Sequence, residues 1–138
     1  MSVEILTDAY VSINAVDLSD HVKSATLTPS VTLKDVTAMG DVAVRKLAGL
    51  KDAKLSVTFY NDWASGKVDA TVWGVYGVQT ALKFRKSKTD AISATNPEYQ
   101  FNGMWSEYPI AAEVGNEALT TITFELSDGA ALVRDVTP

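Results

Sequence analysis

His21 is the single histidine of the 138-residue chain, and it follows Asp20 directly. A carboxylate beside an imidazole can tune a general base. Acyl-transfer chemistry would also need a nucleophile, and no Gly-x-Ser-x-Gly is present. The chain contains no cysteine. That excludes a disulfide scaffold, a thiolate zinc site and a cysteine nucleophile. One histidine cannot build a multi-histidine metal site, and a triad would have to run through His21 alone. His21 is therefore expected to be a turn residue near a strand end. Asp17 and Asp20 bring two carboxylates close together. A calcium loop needs several more oxygen ligands and a closing Glu, and Asp-x-Asp-x-Asp-Gly is missing. Turn chemistry and helix capping account for Asp17, Ser19 and Asp20.

The glycines fit neither Gly-x-Gly-x-x-Gly nor the Walker pattern, so no phosphate loop is expected. A glycosidase needs two carboxylates flanking one bond, and nothing in the spacing of the 17 acids selects a pair. The one basic cluster is Lys83, Arg85, Lys86 and Lys88. It could meet a phosphate backbone. Lys83 and Arg85 alternate with Leu82 and Phe84, however, so they are expected on the solvated or subunit-interface face of a strand. Trp63, Trp73 and Trp105 are scattered and read as core or interface anchors. No catalytic residue, metal ligand or cofactor is expected, and the chain is read as a non-enzyme.

Composition agrees. Charged residues make up 21% and hydrophobic ones 46%, which is globular and not disordered. The length predicts one domain over residues 1–138. The net charge is -5 and the pI about 4.7, which argues against a basic nucleic-acid reader. The first residues, Met1 to Asp8, carry an acid where an export signal needs basic charge, so no signal peptide is expected. No apolar run approaches the roughly 20 residues of a membrane helix. Asp135 to Pro138 is read as a short tail.

Strands must position whatever the chain does. It contains 14 Thr and 16 Val, and β-branched side chains suit a pleated surface. Period-2 alternation predicts strands over 9–15, from about residue 23 to Leu33, and over 53–60, 81–86, 99–107, 119–126 and 131–136. Asn14 to Asp17 is a tight connection, and 16–22 a short return segment. Pro29 cannot donate to a ladder, so it marks an edge, bulge or bend. Ser127-Asp-Gly129 reads as a hairpin turn joining the last two strands. One short helix is expected after an Asn61–Gly66 loop, with Ser65 as N-cap and Val68, Val72, Val75 and Tyr76 in one apolar stripe.

Lys34 to Asp52 fits no simple pattern. Connections longer than about 12–15 residues are uncommon in a compact domain and are often functional. This one holds Val36, Met39, Val42, Val44, Leu47 and Leu50 among Asp41, Arg45, Lys46 and other charges. A disordered loop would rarely be so apolar. It reads as an interaction arm that orders on a partner, with a self-packed surface loop or an extended hairpin tip as the alternatives.

The ordered series of segments resembles a known family. Val22-Lys-Ser-Ala-Thr-Leu, Val36-Thr-Ala-Met-Gly-Asp41 and the run from Leu47 to Asp62 are similar to the major tail (tail tube) proteins of long-tailed bacteriophages. Ser65-Gly-Lys-Val-Asp-Ala-Thr-Val-Trp73, Ala94-Thr-Asn-Pro-Glu-Tyr99 and Thr121-Ile-Thr-Phe124 continue the likeness, which spans roughly Tyr10 to Val136.

The resemblance implies a mainly β fold: an antiparallel β-sandwich or split barrel with one short flanking α-helix. It implies six copies closing a ring by strand pairing, and rings stacking into a tube. Genomic DNA would pass through the lumen without specific binding. The partners would be other copies of the chain and other tail proteins, such as the tape measure and tail terminator, with no membrane. The protein would belong to the virion tail and assemble in the host bacterial cytoplasm. Residues 34–52 become a protruding assembly loop, with Val36, Met39, Asp41, Arg45, Lys46, Leu47 and Leu50 at the subunit or ring interface. Lys83, Arg85 and Lys86 are the second interface candidate. A tail terminator, a connector, a contractile-tail inner tube and a carbohydrate-binding β-sandwich are the alternatives.

Overall fold

The computed structural model describes residues 9–111 and 114–137. The expectations for Met1 to Asp8 and for Pro138 lie outside them. The fold is mainly β, as expected: the described residues form an eight-stranded antiparallel sheet in the order β2-β1-β5-β6-β7-β4-β3, with β8 also on β6. The strands are β1 (Tyr10–Ile13), β2 (Val16–Asp17), β3 (Val22–Asp35), β4 (Lys46–Tyr60), β5 (Thr80–Arg85), β6 (Glu98–Trp105), β7 (Leu119–Leu126) and β8 (Val133–Asp135). One α-helix, α1 (Val68–Gly74), packs against the sheet, and a 3₁₀ turn (Ser19–His21) precedes β3. Among the described residues no helix is long and apolar enough to cross a membrane.

Alternation along the strands builds the core. On β4, Ala53, Leu55, Val57 and Phe59 are fully buried. Across the ladder on β7, Ile122 and Phe124 are buried as well. Val11, Ile13, Leu82 and Phe101 continue this inner face, and Val68 and Val72 of α1 close over it. The sheet therefore curls around one side of a seven-residue helix that is too short to be stable alone.

Two local readings need correction. The helix starts at Val68 with Lys67 as N-cap and no side-chain cap bond, so Ser65 is not its cap. Val68, Val72 and Val75 are buried, but Tyr76 is largely exposed, because the helix ends at Gly74 and the next turn swings the ring outward. The second concerns Ser127-Asp-Gly129. β8 pairs with β6 at Glu98–Gln100, not with β7. Asp128 accepts hydrogen bonds from Asn102 Nδ2 and the Ala130 N–H. These turn the chain away from β7 and return it to the edge of β6 that β7 leaves open beyond Gly103.

The β1–β2 connection is a two-residue turn. Asn14 and Ala15 both have positive φ, 51° and 64°, as a type I′ hairpin requires. Pro29 lies on β3, an edge strand of the sheet, where a missing donor costs no ladder bond on the outer side.

The largest departure concerns residues 34–52. Nine of them are strand and ten are the loop between, which makes the segment the extended hairpin tip given above as an alternative. β3 runs for 14 residues and β4 for 15, and they pair from Val22↔Phe59 to Asp35↔Lys46. Only residues 36–45 form the connection. β7 pairs with β4 from Lys54 to Tyr60 and no further. From Asp52 to Lys46 the hairpin is therefore a two-stranded ribbon extending past the sheet. Seven residues at 3.3 Å each carry it about 23 Å outward.

Candidate assembly surfaces

The ribbon is exposed on both faces. Val31, Leu33, Val44, Leu47 and Leu50 are exposed, and Met39 and Val42 at the tip are completely so. Of the interface residues expected from sequence, Met39, Arg45, Lys46, Leu47 and Leu50 are exposed, while Val36 and Asp41 are half-buried. The inward positions of β3 show where support ends: Ala25 and Leu27 are half-buried, and Val31 and Leu33, further along, are not. A two-stranded ribbon in water is at best marginally stable by itself. The tip is nevertheless tied internally. The Val36 N–H donates to the Arg45 carbonyl (2.8 Å), and the Arg45 N–H to Thr37 Oγ1 (2.9 Å). The Ala38 N–H donates to Asp41 Oδ2 (2.8 Å), and Arg45 Nη2 to Asp41 Oδ1 (2.9 Å). Asp35 accepts from the Thr37 backbone and hydroxyl, which holds its carboxyl below the usual carboxylate range.

The basic cluster is not a free cationic surface. Lys83 and Arg85 on β5 both face the buried Glu98 of β6, at 3.9 and 3.1 Å. Gln100 Nε2 adds a bond of 2.7 Å to the same carboxylate. The Arg85 guanidinium also lies 4.2 Å from the Tyr10 ring centroid, a cation–π contact. Lys88 pairs with Asp17 at 2.7 Å. Lys86 follows β5 and is half-buried. These charges are largely met within the chain, which ties β5 to its neighbours.

Two of the scattered tryptophans come together. Trp73, Tyr76, Trp105 and Tyr108 form a chain of rings with successive centroids 5.2, 5.0 and 5.9 Å apart, tilted or edge-to-face. Such geometry adds to the burial of each ring. Trp105 Nε1 donates to the Val72 carbonyl (3.1 Å), tying β6 to α1. The Tyr108 hydroxyl donates to Asp69 Oδ1 (2.9 Å) and accepts from Asn61 Nδ2 (2.9 Å). Burial in this setting pushes its pKa up to about 12, with Asn61 opposing and Asp69 adding. With Glu107 and Pro109 these rings line a cleft of about 420 Å³. Trp73 and Tyr76 remain 58% and 62% exposed. Sequence spacing could not reveal the cleft, because its rings come from α1, the turn after it, and the end of β6. A second groove of about 390 Å³ lies at the root of the arm, between Pro29, Val31 and Ala48 on one side and Ala131 and Leu132 on the other.

His21 is bracketed by Asp20 (2.8 Å) and Asp62 (2.9 Å). No group of three or more metal-ligating side chains occurs among the described residues. The bracket links the 3₁₀ turn before β3 to the loop that enters α1.

No family model matches the chain, and no curated protein matches it in sequence. Solved structures do match in fold. A chain in the virion of a native gene transfer agent particle superposes with a TM-score of 0.74 at 14% identity, over 94% of this chain and 96% of that one. A chain in the C6-symmetric tail of an empty gene transfer agent particle superposes with a TM-score of 0.68 at 15% identity, over 84% and 83%. The chain thus has the fold of protein chains found in the virion and tail of gene transfer agent particles.

Proposed function

We propose that the protein is a structural tail subunit of a long-tailed phage or phage-like particle. Six copies close a ring, and rings stack into a tube through which DNA is delivered. One observation carries this reading: a fold shared with a C6-symmetric tail chain bears a projecting ribbon whose Leu33, Leu47 and Leu50 stay exposed among the described residues. Such a ribbon gains stability from neighbouring copies. The outer edge of β3, which no described strand covers, offers a further ladder to a neighbour, and closing a ring would remove that edge. Net charge supports the passage of DNA. Six copies at -5 each bring -30 to a ring, and acidic walls repel phosphate, so DNA slides without being held. The remaining partners are other tail proteins of the tape-measure and terminator kind. Assembly takes place in the host cytoplasm, and the role is structural, not catalytic.

The test is negative-stain electron microscopy of the concentrated protein beside an armless variant. Replacing residues 31–51 by an Asn-Gly turn joins Ser30 to Asp52, which are already paired. The wild type should form rings or tubes. The variant should remain a folded subunit with no tubes. A wild type that stays monomeric at high concentration would sink the reading.

A further inference from the structure

We infer that the receptor for the arm is the aromatic cleft of a second copy, entered head to tail by Met39 and Val42. This rests on the reading of the chain as a stacking subunit and names the surface at which stacking occurs.

The two surfaces lie at opposite ends of one long axis. Trp105 pairs with Phe124, and Phe124 with Leu55. The cleft is therefore level with Leu55 or beyond it, since Pro109 accepts a hydrogen bond from Thr120, opposite Phe59. The tip begins past Lys46 at the other end of β4. Nine residues at 3.3 Å separate the two by about 30 Å, so no chain can fill its own cleft. An arm at one end and a cleft at the other make a heterologous contact, and because the two lie at opposite ends of the long axis it repeats along that axis as an open stack.

The chemistry of the two surfaces matches. The tip presents Met39 and Val42, completely exposed. A thioether pairs favourably with aromatic ring edges, and the cleft presents Trp73 and Tyr76 with exposed rings. Arg45 is met by Asp41 within the tip, but Lys46 flanks it and Glu107 lines the cleft, so these two rim charges are of opposite sign. The tip is already fastened by the Asp41–Arg45 ion pair and the Thr37 bonds. It therefore loses little freedom on docking.

The absence of cysteine gives a clean test. In the full chain, Met39→Cys with Ser106→Cys, which lines the cleft without removing a ring, places one thiol on each surface. Under mild oxidation during assembly it should give a ladder of disulfide-linked multimers. Met39→Cys with Val133→Cys, whose second thiol sits on β8 beside the opposite end of β6, should give none. In parallel, Tyr76→Asp should raise the concentration needed for stacking at least tenfold, an effect of hot-spot size, while Tyr76→Phe should stack as the wild type does. Unchanged far-UV circular dichroism and thermal midpoint confirm that each variant is folded. If wild-type tubes form but the Met39–Ser106 pair gives no more ladder than the control pair, or folded Tyr76→Asp stacks normally, the docking is wrong and the tail reading stands. If the wild type never assembles, both fall.

Discussion

His21 reaches Asp62 across 41 residues of sequence, with Nε2 2.9 Å from Oδ2. Its other ring nitrogen lies 2.8 Å from Asp20 Oδ1. An imidazolium can donate both bonds at once. The bracket fastens the start of β3, where the arm is rooted, to the loop that leads into α1. Asp62 also accepts from the Ala64 N–H, so one carboxylate organises the helix entry and holds the histidine.

Asp62 should therefore contribute to acid sensitivity. The Ala64 N–H first, and His21 second, hold its carboxyl below the usual range. A lowered folded pKa stabilises the native state fully above the unfolded value of about 3.9 and loses that contribution as pH falls through the lower folded value. Urea midpoints measured between pH 2 and 7 should fall below about pH 4 in the wild type. They should fall less steeply in Asp62→Asn. Asp17, Asp128 and Asp135 keep part of the slope, since their pKa values are lowered too. Parallel acid limbs in the two proteins would contradict the assignment.

Gly103 should tolerate no side chain. It sits on β6 opposite Leu126 of β7. A Cβ there would fall on the Glu125 carbonyl oxygen and on the Phe101 ring. Backbone on one side and a core ring on the other leave no room to relax, so Gly103→Ala should destabilise by about 1–3 kcal/mol. Chemical denaturation measures this directly, and a neutral result would mean that the β6–β7 spacing is looser than it stands.

Ala15 offers the opposite outcome. It holds φ at 64° in the β1–β2 turn, where a Cβ costs about 1–2 kcal/mol and glycine is free. Ala15→Gly makes the turn Asn-Gly, the preferred type I′ pair. The expected gain is about 1 kcal/mol, since part of the strain relief is offset by the looser unfolded chain. A lower thermal midpoint would refute it.

Glu98 should matter for stability more than its position at a strand end suggests. It is buried and meets Arg85, Lys83 and Gln100. Glu98→Gln keeps the shape but leaves the largely buried Arg85 without its counter-charge, at a cost of about 3 kcal/mol. The Lys83→Ala variant, which removes a half-exposed ammonium 3.9 Å from Glu98, should lose under 1 kcal/mol. Equal losses in both would mean that the pairing is not centred on Arg85.

Much of the fold was legible because it depends on local alternation. β7 falls where its period-2 pattern puts it, and β1, β5 and β6 agree to within a few residues, since burial of one face imposes that period on any half-buried strand. The arm was visible as an anomaly, apolar and charged together, with an extended hairpin tip only one of the forms it could take. Val31, Leu33 and Leu47 lie in a ribbon with no third strand beside it among the described residues, and alternation loses its meaning where neither face is buried. Pairing partners were not legible either. Asp128-Gly129 signals a turn, but whether β8 returns to β7 or to β6 depends on which edge is open, and only the assembled sheet decides that. The same holds for the aromatic cleft and for His21 with Asp62. Residues far apart in sequence meet there because the core, formed by Phe59, Ile122, Phe124 and Val72, brings their backbones together. Sequence by itself determined what each segment would bury. The tertiary structure decided which surfaces were left uncovered, because exposure is a property of the whole packing and not of any one segment.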